Sequence, residues 1–137
     1  MRRFVGAERG AVLVEFALAM PILAILMVVI IDFSLAMFTI NNLTTAVREG
    51  GRLAAAKKDL AATNDADVIA RVRQQVALSL AVGGTTNYTV TSSYNSGTGL
   101  ITVTIDGFTY RPLTRVVSGF RMKRQAVFRW ERFTGTP

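Results

Sequence analysis

The sequence predicts an α+β protein: a long N-terminal transmembrane helix, a second helix, and a small antiparallel three-stranded sheet. Three observations carry that prediction. Residues 11–40 form a 30-residue stretch whose only charges are Glu15 and Asp32. Residues 64–80 repeat apolar side chains at three- and four-residue steps, the helical period. Beyond residue 86, β-branched and aromatic residues alternate with polar ones on either side of a glycine-rich turn.

Composition narrows the chemistry. The chain has 137 residues, no cysteine and no histidine, 16 basic against 9 acidic side chains (net +7), and is half hydrophobic. Its mean hydropathy is +0.35. A chain both basic and apolar divides into unlike parts, and this length allows one domain of modest core. Without Cys or His there is no zinc site of the usual kind, disulfide framework, cysteine nucleophile or Ser-His-Asp triad. The pairings left for catalysis, Ser118 with Lys123 and Asp65 with Asp67, have no motif around them. The sequence reads as a non-enzyme without a cofactor or metal.

The first element is the apolar helix. A bilayer core takes about 20 helical residues, and residues 11–31 supply them. Two other readings compete. A buried helix of a soluble protein needs a domain large enough to surround it, and this one is not. A cleavable secretory signal finds a basic start in Arg2 and Arg3 and a loose cleavage site at Ser34-Leu35-Ala36. However, the apolar run exceeds the usual signal length and Glu15 interrupts its start. The segment therefore reads as retained, and Arg2, Arg3 and Arg9 favour a cytoplasmic N-terminus.

Gly10 marks the junction of a charged leader with this helix, and Glu15 follows five positions on. A carboxylate inside a membrane costs about 2.5–3.5 kcal/mol at the centre and less near an end. Cleavage after Gly10 would give Ala11 a positive α-amine one helical turn from Glu15. Otherwise Glu15 snorkels to the interface. Residues 41–58 continue the helix beyond the membrane. There Ala46, Gly50 and Ala54 form a small-residue ridge that admits another helix closely. Gly50-Gly51 reads as a packing groove or a bend. Glu49 and Arg52 are spaced as an ion pair.

The second helix opens at Asn64-Asp65-Ala66-Asp67, a cap with acidic first-turn residues. Val68, Ile69, Val72, Val76 and Leu80 give its apolar face, and Gly83-Gly84 end it. Residues 87–94 and 100–105 read as strands joined by the turn at 95–99, Pro112 as loop or edge, and residues 125–133 as a third strand.

The motifs of the first half together resemble one family. Gly10, Glu15-Phe16, Pro21, Asp32-Phe33 and Ala46-Val47-Arg48-Glu49-Gly50-Gly51-Arg52 follow the ordered pattern of TadE-like proteins. These are minor pilins, or pseudopilins, of the tight adherence (Tad/Flp) branch of type IV pili. Ser34 stands where relatives often have Gly and Gly51 where Ala is commoner; neither lies at the processing site. The resemblance implies a pilin-like fold and a processing site made by Gly10, Ala11, Glu15 and Phe16. Residues 1–10 would be a leader removed by a prepilin peptidase, and residues 11–40 the membrane and assembly helix. Residues 41–58 would be its extracytoplasmic continuation and residues 59–137 a small α+β domain. It also implies an inner-membrane location with that domain periplasmic, or carried into the surface pilus. The partners would be other pilins and minor pilins, an inner-membrane assembly platform and lipid, in the service of adhesion and biofilm formation. The rival is an unprocessed, single-pass, membrane-anchored binding module.

The C-terminal region is basic: Arg111, Arg115, Arg121, Lys123, Arg124, Arg129 and Arg132 face one acid, Glu131. Interleaved Phe108, Tyr110, Phe120, Phe128, Trp130 and Phe133 suggest a nucleic-acid surface. No nucleic-acid fold pattern accompanies them. The favoured reading puts the aromatics in the sheet core and the basic side chains toward solvent, headgroups or an acidic partner subunit. DNA capture at an external pilus tip stays open, since some type IV systems do it.

Overall fold

A run of mainly apolar and small residues, with charges gathered mostly toward its two ends, makes one helix, α1, Val5–Ala56. The computed structural model describes residues 5–57, 64–81, 83–85, 87–113 and 118–130. The 52 residues of α1 extend about 78 Å at 1.5 Å each. It is already helical at Val5, the first described residue, ahead of the expected residue 11, and no Ser, Thr, Asp or Asn between them caps a start there. It continues through Pro21. Its expected end, Lys58, lies outside the described residues.

Helix α2, Ala66–Leu80, begins where the sequence placed it. The Asp65 carboxylate accepts from the Asp67 N–H at 3.0 Å and the Val68 N–H at 3.3 Å, satisfying two of the four free N–H groups of a helix start. Val68, Val72 and Val76 are buried, with Ile69 and Leu80 half-buried beside them. At the far end the Gly84 N–H donates to the Ser79 carbonyl at 3.3 Å, and Gly83 adopts a φ of 110° that L side chains rarely reach.

Three antiparallel strands follow in the order β1-β2-β3: β1 Thr89–Asn95, β2 Leu100–Tyr110 and β3 Phe120–Arg129. Asn95 closes the first turn, its side-chain oxygen accepting from Gly97 and Thr98 N–H. Strand β1 starts at Thr89 and ends at Asn95 where residues 87–94 were expected, and two further boundaries differ by more. Strand β2 runs to Tyr110 instead of residue 105, because a bulge at Asp106-Gly107 absorbs the break in alternation, with Gly107 at φ 82°. Strand β3 starts at Phe120 instead of residue 125, since the lengthened β2 offers pairing to Met122 and Phe120. The residues beyond 130, which include the expected end of that strand, lie outside the described residues.

Both helices cover one face of the sheet. Alternation turns Val90, Ile101, Val103, Ile105, Phe108, Tyr110 and Met122 inward to meet Leu43, Ala46, Val47 and Ala54 of α1 and the valines of α2. The opposite face carries Thr89, Thr91, Ser93, Thr102, Thr104, Asp106 and the alternate residues of β3, among them exposed Arg121, Lys123, Gln125, Val127 and Arg129.

Candidate functional site

The two halves of α1 differ in what surrounds them. From Val12 to Ile31 every large apolar side chain is exposed, from 40 % for Val28 to 70 % for Leu18. Within Gly10–Ala56 the most apolar stretch has a mean hydropathy of 2.7 and is buried nowhere. An apolar surface of that extent marks contact with lipid or with other apolar helices. From residue 35 onward one face, including Thr39, Leu43, Ala46, Val47 and Gly50, is instead covered by the domain.

Gly10, Ala11, Glu15 and Phe16 all lie on the uncovered half, within helix and exposed. A Cβ at Gly10 would meet nothing within 4 Å. The small-residue ridge lies on the covered half: Ala46, Gly50 and Ala54 are buried. The helix received there is α2 of the same chain, whose Val72 Cγ2 occupies the space a Gly50 side chain would need. Gly51 receives the Phe128 ring from β3 in the same way. With α1 continuous through both, the glycine pair is a groove that seats α2 on one side and the sheet on the other. Arg52 and Glu49 meet at 3.9 Å, both partly exposed, an ion pair of small consequence.

The boundary between the halves is Asp32. The Leu113 N–H donates to its Oδ1 at 2.8 Å, and the Tyr110 hydroxyl donates to its backbone carbonyl at 3.3 Å. Burial, and then the Asp32 charge, push the Tyr110 hydroxyl above its ordinary pKa. Sequence reasoning placed Asp32 only within the family pattern. Its isolation in an apolar run signalled a role, but nothing marked Tyr110 or Leu113 as its counterparts. A second joint closes the other end of α1. Lys57 Nζ lies 2.6 Å from Asp65 Oδ1 and 2.6 Å from Asp67 Oδ2, while the Lys57 carbonyl accepts from Trp130 Nε1 at 3.0 Å. Asp65 thus caps a helix, and with Asp67 it holds a lysine.

The basic residues are dispersed. Arg111, Arg121, Lys123 and Arg129 are exposed, and Arg124 is half-buried, donating to the Lys123 carbonyl at 2.9 Å. Asp106 meets Arg121 at 3.2 Å and Lys123 at 3.6 Å. Phe108 and Tyr110 are buried, Phe128 and Trp130 pack on the core, and Phe120 stays 40 % exposed. Arg115, Arg132, Glu131 and Phe133 lie outside the described residues. Among the described residues no group of three or more acidic side chains is placed to hold a metal.

Fold and surface define a class: an α+β protein with a helix long and apolar enough to cross a membrane, its C-terminal half packed against a second helix and a three-stranded sheet. Residues 10–52 match the family model described as TadE-like protein. Over that segment, less than half of its length, the chain is similar to TadE-like proteins. The match covers both the exposed half of α1 and the groove at Gly50-Gly51. No curated protein and no solved structure matches the chain.

Proposed function

We propose that this chain is a minor pilin of a Tad/Flp-type pilus, processed after Gly10 and used in pilus assembly and surface adhesion. One observation carries the reading: the TadE-like match falls on a helix whose first half is apolar on all sides and covered by nothing. Residues 1–10 act as the leader, residues 11–40 as the membrane and assembly helix, residues 41–58 as its outer continuation and residues 59–137 as the exported domain. The N-terminus faces the cytoplasm, and the domain faces the periplasm until the subunit enters the filament. Its partners are other pilins and minor pilins, the prepilin peptidase, the inner-membrane platform and lipid. After cleavage, Glu15 meets the Ala11 amine of a neighbouring subunit. Pairing lowers the cost of burying either charge and fixes register between helices. The basic side chains of the domain contact anionic surfaces, not nucleic acid.

Intact-mass measurement on chain from cells containing the peptidase tests the reading. Ala11 is the expected first residue; Met1 retained in assembled pili would show an uncut anchor instead. In the same cells Glu15→Ala is cleaved normally but enters pili poorly. Normal incorporation would remove the role given to the carboxylate.

A further inference from the structure

The bulge in β2 opens a cleft of about 420 Å³ on the sheet end farthest from the hairpin turn, within the range of small-molecule sites. Its lining is polar: Asn87, Thr89, Asp106, Arg111 and Arg121 surround it, and Tyr88 supplies an aromatic wall. We propose that this cleft binds a carboxylated sugar.

Charge selects an anion. Two guanidiniums reach the cleft, Arg111 from just beyond β2 and Arg121 from β3, against the one carboxylate of Asp106. Asp106 is already engaged by Arg121 and Lys123, while the exposed Arg111 guanidinium has no partner among the described residues. The guanidinium fork matches a carboxylate in two parallel hydrogen bonds. Asn87, Thr89 and the remaining valences of Asp106 offer donors and acceptors to hydroxyl groups. A lipid tail finds no apolar wall of its length here. A nucleobase finds one ring, Tyr88, already tilted against Phe108 at 5.8 Å, where single-strand binders present several stacking faces.

Backbone conformation at the bulge shapes the cleft. Gly107 adopts its φ of 82° there, and a Cβ on it would sit 3.4 Å from the Asn87 carbonyl and 3.5 Å from Arg121 Nη2. A side chain at 107 would therefore narrow the cleft. The Arg121–Asp106 pair, as exposed as that of Arg52 and Glu49, adds little rigidity of its own. Nothing in this argument depends on cleavage after Gly10, so either proposal can fail without the other.

The test is titration of the full chain in detergent micelles with a galacturonic acid hexamer at physiological salt. Saturable binding is expected, at least 10-fold weaker for the methyl-esterified hexamer, which has the same sugars without the charges. Arg111→Gln and Arg121→Gln each weaken binding at least 10-fold with unchanged thermal unfolding. Arg129→Gln, at the other end of β3, changes it less than 2-fold. Absence of saturation, equal binding of the ester, or an equal loss in Arg129→Gln would overturn the proposal. So would displacement of the hexamer by an equimolar six-nucleotide DNA strand or by hexaphosphate.

Discussion

At Gly51 a missing side chain does the work of packing. The Phe128 ring fills the space its Cβ would take, as Val72 does at Gly50. Glycine in a helix interior costs about 1 kcal/mol against alanine, so two adjacent glycines would weaken an isolated helix. Here they let α2 and the sheet approach the helix backbone, and the core behind them offsets the loss. Gly51→Val is accordingly expected to lower stability by about 1–3 kcal/mol, the usual cost of overpacking. Thermal unfolding followed by Trp130 fluorescence measures it. A second substitution, Phe128→Ala, should recover part of the loss when combined with Gly51→Val, because the new side chain then fills the vacated space. Simple additivity of the two losses would show that the ring and the glycine are not coupled.

At the scale of elements, the question is why a single helix is bare for half its length and clothed for the other half. Asp32 sets the boundary by receiving the Leu113 N–H and the Tyr110 hydroxyl, which ties the end of β2 to the helix one turn ahead of its first covered residues. A hydrogen bond to a charged group contributes about 1.5–3 kcal/mol. Asp32→Ala is therefore expected to speed amide exchange at Leu113 by roughly 10-fold or more, that energy expressed as a local opening equilibrium. The exchange of Val103 in the sheet centre should stay as it is. Hydrogen–deuterium exchange resolved by peptide checks both, and an unchanged Leu113 rate would show that the strap is held elsewhere. The existence of each element could be read from the sequence: the long apolar run, the Asp65 cap, the Val68-Val72-Val76 stripe and the Asn95 turn all lie where they were expected. The extent of β2 and the start of β3 could not. Asp106-Gly107 looks like a strand stop by local propensity, and only pairing with Met122 and Phe120 carries the strand past it.

For the whole molecule, the joint of Lys57, Asp65 and Asp67 links stability to pH. Desolvation pushes the Asp65 carboxyl up, but the hydrogen bonds from Lys57 and the Val68 and Asp67 N–H groups outweigh it and hold the group below its ordinary value of 3.8. A carboxyl depressed on folding stabilises the folded state above that ordinary value, and the contribution is lost as pH falls through the folded one. Hydrogen bonds to Asp65 and then Asp67 raise Lys57 above 10.5, so its contribution is complete below 10.5 and lost as pH rises through the folded value. The unfolding temperature should thus fall below about pH 4, the ordinary carboxyl range, and this acid-side slope should shrink in Lys57→Met. An identical slope in the variant would assign the acid loss to other carboxylates. By itself the sequence determined the class of protein, because charge segregation, helical period and strand alternation are local properties of the chain. It also supplied the TadE-like pattern through Gly10, Glu15, Asp32 and Gly50-Gly51. Only the tertiary structure decided that the ridge at Ala46, Gly50 and Ala54 seats a helix of its own chain, that Asp32 holds the end of β2, and that Arg111 and Arg121 share one cleft. Each joins residues far apart in sequence, and distance along the chain carries no record of which surfaces will meet when the apolar faces are buried.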